Sequence, residues 1–168
     1  ARFNPEKLAW LNAQYLKASD DARLAALAEP FLARDGCDTK QGPPLARVVA
    51  LLKERINTIE ELADASVYFY RALDAAEELK KQHYSAEARP ALVDLKEQLA
   101  KIEWKRERIS EAIKAVVATH KLKMPKIAMP LRVMVTGETH TPSVDAVLEL
   151  IGRDEVLARI EKQLQAFP

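Results

Sequence analysis

The sequence has little of what most enzyme chemistry needs: one cysteine, three histidines and four glycines in 168 residues. A lone thiol cannot form an internal disulfide, which fits a reducing compartment. Cys37 lies in the polar run Gly36-Cys37-Asp38-Thr39 with no base beside it, so it reads as an incidental thiol rather than a nucleophile. His83, His120 and His140 are far apart, and none belongs to a His-x-x-x-His pair; with one cysteine, no zinc ligand set is credible. The scarce glycines form neither G-x-x-x-x-G-K-S/T nor G-x-G-x-x-G, and no G-x-S-x-G elbow occurs. Carboxylates are plentiful but mixed with lysines, the usual pattern of a solvated helix face. A self-contained enzyme is not expected. No apolar run approaches the ~20 residues that span a bilayer, so no membrane partner is expected either. Residue 1 is Ala with no signal segment after it, and the chain is expected to begin within a longer protein.

Apolar residues at 48 % and charged residues at 30 % describe a globular chain rather than a disordered one. Its length fits one domain or two small ones, enough to bury roughly 70 % of the unfolded surface. The net charge of +1 hides an asymmetry. Residues 101–135 carry nine cations against three carboxylates, or +6, which leaves −5 for the rest. Such a stretch is either a solvated helix face or a set of phosphate contacts.

The pattern is helical almost throughout. Asn4-Pro5 reads as an N-cap and first helical residue, and Leu8, Leu11 and Tyr15 share one face of the helix that follows. Ser19 or Asp20 caps a second helix, which Pro30 should kink or restart before Gly36 ends it. A third runs from Leu45 to Arg55. Thr58 with Glu61 forms a capping box for the next, so Arg55 sits beside a helix connection. There it either reaches outward or serves as a cation at a helix C-terminus. Helix is expected to continue over 67–84, where Tyr68, Phe69 and Tyr70 are core packing or base-stacking rings. Further helices are expected over 90–100, 102–120, 123–137 and 142–152, with a last one opening at Asp154. The fold class is all-α. Acidic and basic halves suggest two subdomains joined near residues 66–75, where Gly and Ser are too scarce for a flexible linker and a continuous helix is expected.

The run KLKMPKIAMPLRVMVTG from Lys121 to Gly137 is followed by Thr141-Pro142 and by VLELIG from Val147 to Gly152. This order resembles the C-terminal region of bacterial glutamyl-tRNA synthetases: a basic approach, Pro-Leu-Arg, a few apolar residues, Thr-Gly, a Thr/Ser-Pro turn, and a helix ending in Leu-Leu-Gly. The opening FNPEKLAWLNAQY, Phe3 to Tyr15, resembles the segment that leaves the body of the same enzymes. The motifs sit near opposite ends with agreeing helix order between them, so the resemblance covers essentially the whole chain. Pro125 in place of a frequent Gly and the bulky Val133-Met134 depart from the pattern, at positions that bear on packing.

In that family the catalytic domain is a class I Rossmann domain with His-Ile-Gly-His-like and Lys-Met-Ser-Lys-Ser-like ATP signatures. Neither is present; Lys123-Met124-Pro125-Lys126 departs from the second at Pro125 and again at Ile127. The resemblance therefore implies the anticodon-binding portion, two packed helical subdomains described as an α-helix cage. Residues 1–18 would end the stem-contact region, with subdomains over 19–72 and 73–168. It implies that Arg55, in Arg55-Ile56-Asn57-Thr58, reads the first anticodon nucleotide. Arg132 of Pro-Leu-Arg, with Thr141 and Pro142, would contact the other positions, the latter pair partly through backbone groups; a structural role for Arg132, binding helix carbonyls, competes with this. Trp10 would lie toward the anticodon stem, and Lys121, Lys123 and Lys126 would hold phosphates without reading sequence. The parent enzyme would attach glutamate to tRNA(Glu) with ATP and Mg²⁺, as a cytoplasmic monomer. This chain would contribute recognition, with tRNA(Glu) and the parent's catalytic domain as partners and no cofactor of its own. The competing reading is a helical protein-interaction module without RNA binding.

Overall fold

The computed structural model describes residues 4–165 and 167; Phe3, which opens the first motif, lies outside them. Among the described residues there are ten α-helices, three 3-10 turns and no strand. They form two compact units, Ala1–Arg71 and Ala72–Pro168.

In the first unit α1 (Pro5–Ala18) begins where the Asn4 side chain accepts from the backbone N–H groups of Glu6 and Lys7, two of the donors a helix start leaves unpaired. Asp20 caps α2 (Asp21–Arg34). Of the kink or restart expected at Pro30, the restart does not occur: α2 runs through it. Leu24, Ala28 and Leu32 are fully buried on both sides of it, and this packing against α3 (Leu45–Leu52) and α4 (Ile59–Ser66) outweighs the one backbone bond Pro30 forfeits. The third helix is shorter than expected, ending at Leu52 and tightening into a 3-10 turn over Lys53–Arg55. Thr58 caps α4 by accepting from the Glu61 N–H at 3.0 Å, while the Glu61 carboxylate accepts from the Asn57 N–H, one residue upstream of the usual box.

The expected helix over 67–84 does not form. A 3-10 turn at Val67–Phe69 leads to residues 70–76 without helix, and α5 spans only Glu77–His83. Tertiary contacts account for the break. Tyr68 and Phe69 are buried with ring centroids 4.5 Å apart, and the Tyr70 hydroxyl donates to the Pro43 carbonyl at 2.8 Å. Tyr68 and Phe69 are thus core residues, with no surface for a base to stack upon.

The second unit packs α6 (Arg89–Leu99), α7 (Arg106–Thr119), α9 (Val144–Ile151), α10 (Arg153–Gln165) and α5 around α8 (Met124–Thr136). Leu92, Leu95, Leu99, Ile109, Ile127 and Leu131 are completely buried in its core. The expected helix over 102–120 starts late, at Arg106. Trp104 is drawn aside instead: its indole N–H donates to the Leu148 carbonyl at 3.2 Å, the Arg153 guanidinium lies 5.6 Å from its ring centroid, and Arg153 also donates to the Ile102 carbonyl. α8 keeps Pro130 in its interior, buried, and ends at Gly137 in the left-handed region (φ +73°). A Cβ at Gly137 would lie 2.9 Å from the Leu73 carbonyl oxygen. Arg159, buried in α10, donates to the Val135 carbonyl at 2.8 Å and so satisfies one of the last carbonyls of α8.

Gly137→Ala should therefore lower the unfolding free energy by about 1–2 kcal/mol from the left-handed backbone alone, and by more once the Leu73 contact is forced apart. Urea denaturation measures this; an unchanged midpoint would show that α8 does not need its left-handed stop.

Candidate nucleic-acid interface

Arg55 closes the 3-10 turn between α3 and α4 in the first unit. Ile56 behind it is buried and pins the turn, whereas Arg55 is exposed. Its side chain makes no hydrogen bond or ion pair among the described residues. The structural cation of this turn is Lys53, whose ammonium sits 2.8 Å from Asp21. Trp10 lies on α1 and is 61 % exposed, on a helix whose only buried residue is Leu16; Leu8, Leu11 and Tyr15 are exposed as well.

In the second unit Arg132 projects from α8 into an open cavity of about 160 Å³. Ser110 and Ile113 of α7 and Met124 and Ala128 of α8 line it. Ser143, Val144 and Asp145, at the start of α9, complete the lining. One guanidinium nitrogen of Arg132 donates to the Met129 sulfur at 3.2 Å, a weak acceptor. Its Nε is buried, and nothing among the described residues accepts from it. A buried donor left without a partner costs about 1–3 kcal/mol. The carbonyl-binding arginine of this unit is Arg159.

Thr141 and Pro142 directly precede that lining. Both are buried, and the Thr141 hydroxyl donates to the Pro142 carbonyl at 2.8 Å. The hydroxyl is thus engaged within its own turn. The structure groups this turn with Arg132, while Arg55 and Trp10 belong to the other unit.

Sequence reasoning missed what fixes the mouth of the cavity. Arg106, the first residue of α7, reaches Asp145 (Nε to Oδ2, 3.2 Å) and donates to the Ser143 hydroxyl at 2.9 Å. Its backbone N–H donates to Glu149 at 2.6 Å. Burial pushes the Asp145 carboxyl up, but hydrogen bonds from Ser143, Arg106 and the Ala146 N–H outweigh burial and hold it below the usual carboxylate range. The one signal in the sequence was an acidic residue two positions after Ser143 at a helix start, which the helix dipole already explains.

The basic stretch divides in two. Lys105, Arg106 and Arg108 are paired with Glu103, Asp145 and Glu111. Lys121, Lys123 and Lys126 are exposed and form no ion pair among the described residues. Lys123 occupies the N-cap position of α8 without a side-chain hydrogen bond, and Lys126 lies in the first turn, which holds no carboxylate. Both border a second cavity of about 300 Å³ with Gln82, His83, Ser85 and Met129.

A family model described as an anticodon binding domain matches residues 23–164. The chain belongs to the anticodon binding domain family. It is 59 % identical to a glutamate–tRNA ligase of Nitrosospira multiformis, over 99 % of this chain and 36 % of the relative. It is 58 % identical to that of Thiobacillus denitrificans, over 98 % and 35 %. The crystal structure of a glutamate tRNA ligase from Elizabethkingia meningosepticum, in complex with its amino acid, superposes with a TM-score of 0.88 at 27 % identity, covering all of this chain and 34 % of that one. The anticodon-binding-domain chain thus spans about a third of the length of these relatives. The alternative of a protein-interaction module without RNA binding is not supported by these matches.

A carboxyl held below its unfolded value stabilises the fold above the unfolded pKa, near 3.9, and loses that contribution as pH falls through the folded value. Arg106→Gln should therefore be less stable than the unaltered chain at pH 7, with the difference shrinking steadily below about pH 4. Urea unfolding between pH 7 and pH 2 checks this; a gap that stayed constant would show that the Arg106–Asp145 contact is not an ionic tie.

Proposed function

We propose that this chain recognises the anticodon of tRNA(Glu) on behalf of a longer glutamate–tRNA ligase. The observation that carries the reading is the family match over residues 23–164 together with Arg132, whose buried Nε has no partner among the described residues and which lines an open cavity in the matched region. Splayed bases of an RNA loop offer unpaired Watson–Crick edges, and an arginine supplies only donors. Arg55 reads the first anticodon nucleotide. Arg132 and backbone groups of the Thr141–Pro142 turn contact the others. Lys121, Lys123 and Lys126 hold phosphates; the carboxylate-free first turn of α8 adds the positive end of its dipole to theirs. Trp10 and the rest of residues 1–18 face the anticodon stem. Activation of glutamate with ATP and Mg²⁺ belongs to the catalytic part of the longer protein, a cytoplasmic monomer, and this chain performs no chemical step.

The test is a titration with anticodon stem-loops carrying C or U at the first anticodon position. A guanidinium satisfies the O2 and N3 acceptors of cytosine, whereas uracil presents N3–H to it. Arg55→Gln should bring the two affinities together, costing roughly 1–3 kcal/mol on the preferred base, with little change in thermal stability. Binding by the unaltered chain should weaken steeply with salt through counterion release. An unchanged ratio with a lowered melting temperature would make Arg55 a helix-end cation; absence of salt-dependent binding would remove the RNA reading altogether.

A further inference from the structure

The Arg132 cavity contains a charged group of the opposite sign, Asp145, which the anticodon reading leaves without a task. The cavity, about 160 Å³ and open to solvent, has room for the edge of one base. Ile113, Met124, Ala128 and Val144 supply apolar walls for the faces of its ring. The polar equipment is complementary at its edge. A guanidinium presents only donors and an ionised carboxylate only acceptors. A pyrimidine that meets both must carry adjacent acceptors and, beside them, a donor. Cytosine does, through O2, N3 and its exocyclic amino group; uracil turns N3–H toward the arginine and O4 toward the carboxylate.

Resting on the anticodon reading above, we propose that Asp145 is a specificity-determining residue, accepting a hydrogen bond from the exocyclic amino group of a cytosine whose O2 and N3 face Arg132. The carboxylate has capacity for it. Oδ1 accepts from the Ala146 N–H at 2.8 Å, Oδ2 meets Arg106 at 3.2 Å and the Ser143 hydroxyl also donates to the carboxylate, which leaves one of its roughly four acceptor sites open. The Ala146 N–H and the Ser143 hydroxyl hold the carboxylate in place independently of Arg106. The carboxylate also acts against the wrong base, since O4 of uracil in the same place sets oxygen against oxygen.

The test uses the whole chain and six stem-loops, with C or U at each of the three anticodon nucleotides in turn. The unaltered chain should prefer C at one position other than the one set by Arg55. Asp145→Asn, whose amide can turn its N–H₂ toward O4, should reduce that preference at least about fivefold and leave the other positions as they were. Arg106→Gln removes the ion pair but keeps the carboxylate, and should keep the preference whatever it does to affinity. Binding with the same C-to-U ratio at every position in Asp145→Asn overturns the assignment and leaves the anticodon reading standing. The same loss of preference in Arg106→Gln overturns it too, because Asp145 would then act only through the ion pair. If the unaltered chain binds no stem-loop, the anticodon reading fails and this inference falls with it.

Discussion

The second unit depends on where α8 stops. Gly137 turns left-handed against the Leu73 carbonyl, at a distance that admits no side chain. Arg159 reaches up from α10 to the last turn, and the Thr136 hydroxyl donates back to Arg132 O at 2.7 Å. The chain then reverses through residues 138–143, and α9 starts beside the arginine that α8 carries. A continued α8 would carry the Thr141–Pro142 turn away from Arg132. One backbone conformation thus brings Arg132 and the Ser143–Asp145 segment to the same cavity.

Charge in this protein divides by whether it has been answered internally. Lys80 is almost buried against Asp74 of the 70–76 segment, Lys96 of α6 is tied to Glu161 of α10, and Arg159 has Glu155 one turn away at 2.9 Å, so these cations are spent within the fold. Arg55, Lys121, Lys123 and Lys126 have no carboxylate partner among the described residues. Surface ion pairs contribute little stability, but an unanswered cation keeps its full field for an incoming phosphate. A local excess of +6 in residues 101–135 therefore overstates the surface available, because three of the nine cations are already paired.

Local chemistry was legible and tertiary consequence was not. Asn4-Pro5, Thr58 with Glu61 and Gly137 announce helix ends through side chains or backbone freedom within four residues, and each acts where its chemistry places it. The break at 70–76 has no such announcement. Arg71-Ala72-Leu73-Asp74-Ala75-Ala76 contains neither Gly nor Pro, and helical propensity gives way to the anchoring of Tyr70 on Pro43 and of Leu73 against Gly137. The same holds for 102–105, where apolar spacing favours helix and Trp104 is claimed by the Leu148 carbonyl. Arg55 and Arg132, each in its own unit, stand out in the sequence through the family pattern around them. Asp145 and Arg106 do not, since a carboxylate at a helix start and a cation in a charged run are both ordinary until the fold puts them 3.2 Å apart.

The central claim is that the Arg132 cavity receives a base of the RNA. Nitrogen-15 spectra of the arginine side chains test it most directly, because the Arg132 Nε–H is buried without an acceptor among the described residues. On addition of an anticodon stem-loop, that resonance should shift and its exchange with water should slow as a base acceptor engages the guanidinium. The buried Arg159 provides an internal reference that should stay in place. Saturating RNA that leaves the Arg132 resonance and its exchange rate unchanged would contradict the account.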